Sequence, residues 1–431
     1  MFLYRLLSVL ALLAYSPFAL FRSLTGRRRI GSLRGRLGLL PYPDLAGGIW
    51  IHAVSVGEVG VASTLLIALS KRAPGLRLGI SVTTAAGLEA ARRASGAGVA
   101  VFSFPLDLAG PVERALSAVR PGLLLLTETE LWPLLLTRAR KRGVLTALVN
   151  GRISERSFRR YLLVRSWFRR VLEDVSLFAM QSEDDARRAR NLGVPADRIL
   201  ITGNIKYDVA PAPPFPDASR LRSAAAGRPI LVAGSTGEGE EELVLGAWKS
   251  LDPRPFLAIA PRRPERFEAV ARLIESSGFT ILRRSRPDSS NHKSQVTDHE
   301  FDIYLLDSIG ELASLYGEAN LAFLGGSLIP TGGHNPIEAW AQGVAVVVGP
   351  HTHNFREITR SGESLGILER VPDAGALARA WDLAFKGLPA TAARGERARS
   401  FVAQSRGAAA STADAVLRLL SVERRERAAA P

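Results

Sequence analysis

The sequence predicts an α/β protein built from two doubly wound domains facing a cleft, with an N-terminal membrane anchor in front. Three observations carry that expectation. From Gly48 onward, strand-length apolar runs alternate with helix-length amphipathic stretches; a proline-rich break follows Asp208; and an uncharged, arginine-flanked segment opens the chain. The apolar runs are continuous rather than alternating. They therefore call for burial on both faces, as in a parallel sheet covered by helices.

The elements follow in order. Residues 6–21 form an uncharged run of sixteen, about 24 Å as a helix against a hydrocarbon core of about 30 Å. Pro17 weakens it, no small-residue cleavage pattern follows, and the arginines behind it resist export. Residues 1–24 are therefore expected to be a retained membrane anchor, either crossing the membrane or lying in its plane as a monotopic foot, with the downstream chain on the cytoplasmic side. The first domain is expected over 40–208, with strands at 49–55, 76–82, 99–104, 122–128, 144–150, 176–182 and 198–203. Helices between them are expected at 58–72, 84–94, 110–119, 130–142, 155–172 and 183–191. Residues 209–228, rich in proline, read as a linker. A second α/β domain is expected over 229–420, with strands at 229–235, 255–261, 279–284, 302–308, 319–327 and 344–350. Two such domains predict a ligand at the carboxyl ends of the strands.

Composition narrows the class. Apolar residues make up 47% and charged residues 23% of the 431, which is globular, and the absence of cysteine excludes disulfides, thiolate metal sites and cysteine nucleophiles. The net charge of +15 is concentrated. Seven arginines precede the first acidic residue, Asp44, and seven more stand between 152 and 170 against Glu155 alone. Basic charge beside a greasy N-terminus points to an anionic membrane surface rather than to nucleic acid.

Chemistry-bearing motifs cluster at the predicted strand ends. In H-A-V-S-V-G-E-V-G, His52 to Gly60, Glu58 falls at a helix N-terminus, where it either stabilises the first turn or serves as a general base. In T-E-T-E-L-W-P, Glu128 and Glu130 face the same way if strand geometry persists. In N-G-R-I-S-E-R-S-F-R-R-Y, Ser154 reads as an N-cap, and Arg156, Arg159, Arg160 and Arg170 share one arc of a single helix. That face is either simply solvated or turned toward phosphorylated lipid. In the second domain, A-G-S-T-G-E-G-E-E (233–241) is a glycine turn of phosphate-accepting shape, and A-P-R-R-P-E-R-F (260–267) sets Arg262 and Arg263 at the next strand end. Gly325 to Glu338, G-G-S-L-I-P-T-G-G-H-N-P-I-E, is expected to present free amides, with Glu338 placed for ribose hydroxyls. His334, and His351 with His353, lack the spacing of metal ligands.

These blocks, with G-N-I-K-Y-D and G-P-H-T-H-N-F in the same order, resemble the 3-deoxy-D-manno-octulosonic acid (Kdo) transferases of lipopolysaccharide synthesis, over about residues 1 to 360. The resemblance implies two Rossmann-like domains of the GT-B glycosyltransferase type. It also implies CMP-Kdo as donor, a lipid A precursor (lipid IVA) as acceptor, inversion at the anomeric carbon, no cofactor or catalytic metal, and the bacterial inner membrane as location. Carried across, Glu58 is similar to the family's general base, and Glu128 and Glu130 stand in its second acidic motif. Arg262 resembles the residue facing the CMP phosphate, with Gly333, Asn335 and Glu338 holding phosphate and ribose and Ser235 and Thr236 lining the same pocket. Arg156, Arg159 and Arg160 are the expected acceptor or membrane contacts. Arg263 stands where the family has His, Gly151 where it has Ala, and Ala339-Trp340 where it has Pro-Ala. Two other readings compete: a nucleotide-sugar 2-epimerase, which needs no membrane foot, and a membrane-docked nucleotide-binding regulator, which needs no acidic motif.

Overall fold

The computed structural model describes residues 33–96, 98–210, 212–286 and 301–429. The expected anchor at 1–24 lies outside them. Among the described residues no helix is long and apolar enough to cross a membrane. The chain divides into two compact units: one ends at Asp208 and takes up the chain again from Ser405, and the other is Val209–Gln404.

The first unit is a seven-stranded sheet of β1 (Ile49–Ala53), β2 (Leu78–Val82), β3 (Val99–Ser103), β4 (Leu123–Thr127), β5 (Leu145–Gly151), β6 (Leu177–Met180) and β7 (Ile199–Ile201). Its order is β3-β2-β1-β4-β5-β6-β7, and every pairing is parallel. All residues of β1, β2 and β4 are buried, as continuous apolar runs require. Alternate residues serve opposite faces: Trp50, Leu124 and Leu126 join one core, Ile49, Ile51, Leu123 and Leu125 the other.

The C-terminal segment corrects the expected boundary at 420. Helix Ala408–Ala429 packs on the first unit, placing Ala409, Ala413, Val416 and Leu420 in the core that holds Ile49 and Ile51. Asp208 secures it, its carboxylate accepting from the amides of Gly407 at 2.6 Å and Ala409 at 2.5 Å. Small residues let the helix lie close to the sheet.

The second unit is another seven-stranded sheet: β8 (Ile230–Thr236), β9 (Phe256–Pro261), β10 (Ile281–Arg283), β11 (Ile303–Leu305), β12 (Leu321–Leu324), β13 (Val346–Val348) and β14 (Leu368–Arg370). The order is β10-β11-β9-β8-β12-β13-β14, again parallel throughout. The expected linker 209–228 proves to be folded in its second half. Helix Ala218–Ala225 buries Leu221, Phe215 is buried beside it, and Asp217 accepts from the Tyr304 hydroxyl at 2.7 Å.

Candidate active site

In the first unit the motifs meet at the carboxyl ends of β1 and β4. Ser55 caps helix Val56–Arg72, its hydroxyl oxygen accepting from the Glu58 amide at 3.4 Å. Glu58 turns back over the same turn. Its Oε1 accepts from Ser55 Oγ at 2.9 Å, and its Oε2 from the Val54 amide at 2.9 Å. The Thr127 hydroxyl lies 2.9 Å from Glu58 Oε2 and also 2.9 Å from the His52 carbonyl. With one proton it donates to one of them at a time. Glu58 is thus both readings at once: a reciprocal helix cap, and a carboxylate fixed in place at 8% exposure with a lone pair of Oε1 uncommitted.

Strand geometry does not persist past Thr127. Glu128 adopts a left-handed φ of 55°, so Glu128 and Glu130 are not related by a strand repeat. They are brought together by the turn instead. Glu128 Oε1 lies 2.6 Å from Lys206 Nζ. Glu130 carries a carboxyl raised to about 7, first by burial and then by the charges of Glu58 and Glu128. Its side chain has no hydrogen-bond donor among the described residues. Trp132 and Pro133 open helix Pro133–Lys141 as expected, with Asp107 accepting from the amides of Leu134 and Leu135.

Lys206 was given no role by sequence reasoning, although its motif was visible. Its backbone is set by two asparagines: Asn204 Oδ1 accepts from the Lys206 amide at 3.0 Å, and Asn150 Oδ1 from the Ile205 amide at 2.9 Å. Asn150, buried with φ 52°, stands at the end of β5 beside Glu128 at the end of β4. Two non-glycine residues held left-handed on neighbouring strand ends mark stored strain at this centre. His52 is structural. It stacks on Phe104 at 3.5 Å, and burial pushes its imidazole down to about 3, so it is neutral at pH 7.

The arginine segment is two helices rather than one. Val164 (φ −120°, ψ 29°) interrupts it between Glu155–Leu163 and Arg165–Leu172, so Arg170 stands on a different helix from Arg156, Arg159 and Arg160. The first helix buries no residue, whereas the second buries Phe168, Val171 and Leu172. Arg159 pairs with Glu155 at 3.1 Å. Arg156 and Arg160 have no carboxylate partner among the described residues, and Leu163 beside them is 85% exposed.

In the second unit, Arg262 follows β9 with its amide on the Thr236 carbonyl at 3.0 Å and its guanidinium without a partner among the described residues. It acts electrostatically on two neighbours. Burial raises the Glu338 carboxyl and Arg262 opposes that rise; burial first and the Arg262 charge second lower the His334 imidazole to about 4. His334 is therefore neutral at pH 7. Asn335 Oδ1 accepts from the Ile337 amide at 3.1 Å, an Asx turn that leads into the short helix Ile337–Ala341.

Two expectations for this unit change. Thr236 does not line an open surface: it is fully buried, and its hydroxyl donates to Glu241 at 3.0 Å, while Arg266 holds the other Glu241 oxygen at 2.9 Å. The loop amides are only partly free. Gly333 donates to the Gly326 carbonyl at 2.7 Å, and the amides of Gly326, Ser327 and Leu328 donate to Glu240. Ser235, with φ 57°, and Arg263, which is exposed, remain at the strand ends.

Comparison with known proteins follows the motifs. Residues 31–209 match the family model described as 3-deoxy-D-manno-octulosonic-acid transferase (kdotransferase). The chain is 36% identical over 388 residues to a protein of that name from Haemophilus influenzae, covering 89% of each chain. It is 35% identical over 399 residues to the one from Bordetella pertussis, covering 89% of this chain and 90% of the relative. Among solved structures, the glycosyltransferase of kitacinnamycin matches with a TM-score of 0.53 at 15% identity, covering 86% of this chain and 99% of that one. A UDP-GlcNAc 2-epimerase from Neisseria meningitidis matches at 0.50 and 11% identity, covering 83% and 99%. These two likenesses show the fold alone, that of GT-B glycosyltransferases.

Proposed function

The chain belongs to the Kdo transferases, glycosyltransferases of lipopolysaccharide synthesis, and from that premise we propose that it moves Kdo from CMP-Kdo onto lipid IVA with inversion. The epimerase and regulator readings give way to that membership. The observation that carries the mechanism is the immobilised Glu58 carboxylate with a lone pair of Oε1 to spare, beside two further carboxylates of which one is neutralised by Lys206. Glu58 takes the proton of the acceptor hydroxyl. The oxygen attacks the anomeric carbon of Kdo as the bond to the CMP phosphate breaks, through an oxocarbenium-like centre, and CMP departs. Glu128 and Glu130 support that centre. In the second unit, Arg262 and the amides of His334 and Asn335 meet the negative charge that grows on the leaving phosphate, and Glu338 holds the ribose.

Arg156, Arg159 and Arg160, with the exposed Leu163 at the helix end, face the phosphates of the lipid acceptor or the anionic surface that carries it. The protein works on the cytoplasmic side of the inner membrane, held there in part by residues 1–24. Arg156→Glu with Arg160→Glu should weaken sedimentation with phosphatidylglycerol vesicles; binding equal to wild type speaks against this face.

Incubating the full chain with CMP-Kdo and lipid IVA tests the activity itself. Release of CMP together with a lipid heavier by Kdo is the expected result. No heavier lipid, with both substrates intact, overturns the reading.

A further inference from the structure

The loop Gly325–Glu338 contains two sets of backbone N–H groups, and one set is already filled by the protein's own charge. Glu240, fully buried in the first turn of helix Glu240–Lys249, accepts four amides. Its Oε1 takes Ser327 at 3.0 Å and Leu328 at 2.9 Å; its Oε2 takes Gly326 at 2.6 Å and Gly237 at 3.1 Å. A carboxylate offers about four lone-pair sites, so these bonds saturate it. Successive amides converging on one anion are the arrangement that elsewhere cradles a phosphate.

The approach is close and needs glycine. A Cβ on Gly325 would come 2.4 Å from the Ser235 carbonyl oxygen, and Gly326 has a φ of 67°. The second set is different. The amides of His334 and Asn335 donate to no group among the described residues, and Arg262 acts on both His334 and Glu338. The Gly333 amide on the Gly326 carbonyl joins the two halves of the loop.

We propose that Glu240 is a positioning residue that restricts the donor subsite to a single phosphate, because its carboxylate occupies the cradle in which a second phosphate of a nucleoside diphosphate would lie. This rests on the reading of the second unit as the CMP-Kdo subsite. A diphosphate brought to the loop meets a fixed negative charge where it needs donors, whereas a monophosphate finds the open amides and Arg262.

Calorimetric titration of the full chain with CMP and with CDP tests the proposal. Wild type should bind CMP at least about tenfold tighter than CDP, the scale of one charge-assisted hydrogen bond. Glu240→Ala empties the cradle, and the preference should shrink by about tenfold as CDP gains four unpaired donors. Glu240→Gln keeps the size but turns an NH2 toward backbone N–H groups. It should also narrow the preference and raise KM for CMP-Kdo while leaving KM for the lipid acceptor unchanged, and it carries the test if Glu240→Ala does not fold. A CMP-to-CDP preference that is unchanged in a cooperatively melting variant overturns the proposal, as does a wild type that binds CDP as tightly as CMP. Binding of neither nucleotide to the wild type is a separate result: it removes the donor reading, and the proposal with it.

Discussion

Glu58 follows the first strand of the first unit's sheet, and Glu240 follows the first strand of the second's. Each stands in the opening turn of the next helix after a glycine, and each is buried. Their surroundings differ in one respect. Glu58 is held by Ser55, the Val54 amide and a shared Thr127 proton, which leaves an acceptor site on Oε1; Glu240 is closed on all sides by four amides. The lesson is that a glutamate on a glycine turn is not one device. Counting the donors around its oxygens separates a carboxylate that can take a proton from one that shapes a loop.

That contrast can be broken by exchange of phenotypes. The largest expected effect is on turnover: Glu58→Gln should lower kcat by about 10²–10⁴-fold, the usual weight of a positioned general base, with little change in Tm. Next comes stability. Glu240→Ala leaves four buried amides without an acceptor and should cost about 2–4 kcal/mol in chemical denaturation. If Glu58→Gln proved the less stable of the two and Glu240→Ala the less active, the assignment would be reversed.

The smallest effect sharpens the first region. The Glu130 carboxyl is raised from an ordinary 4.5 to about 7, so the folded state binds its proton more tightly than the unfolded chain does. The resulting stability is complete below pH 4.5 and is lost as pH rises through about 7. Glu130→Gln keeps the neutral form at every pH. Relative to wild type it should therefore gain about 1 kcal/mol between those limits, allowing for partial solvent screening of the site. Parallel pH curves for the two proteins would show that Glu130 titrates normally.

Much of the fold could be read from the chain because a doubly wound sheet writes its strands as uninterrupted apolar runs. IWIHA, LLLL and VVV are each buried on both faces. Strand Leu368–Arg370 escaped notice because an edge strand of three residues ending in Glu369 and Arg370 has no such run. The helix at Ala218–Ala225 was hidden by the prolines before it, and tertiary burial of Leu221 outweighed them. Periodicity suggested one arginine helix; the turn at Val164, between the exposed Leu162 and Leu163 and the buried Phe168, makes it two.

The site was legible in its residue types and not in its partners. Glu58, Glu130, Arg262 and Glu338 stood out as charged groups at strand ends. Lys206 could have been found by asking what neutralises Glu128, although a separation of 78 positions hides the pair from any local pattern. Glu240 lay inside the glycine turn 233–241, yet three of its four amides come from a loop more than eighty residues away. Sequence shows which groups can bond and leaves open which bonds are already taken.

The most direct measurement is the rate of Kdo transfer to lipid IVA by Glu58→Gln at saturating CMP-Kdo, with CMP affinity determined on the same preparation. CMP binding equal to wild type, with transfer lower by at least about a hundredfold, is the predicted result. Transfer at the wild-type rate would contradict the central claim, because another group would then be taking the proton.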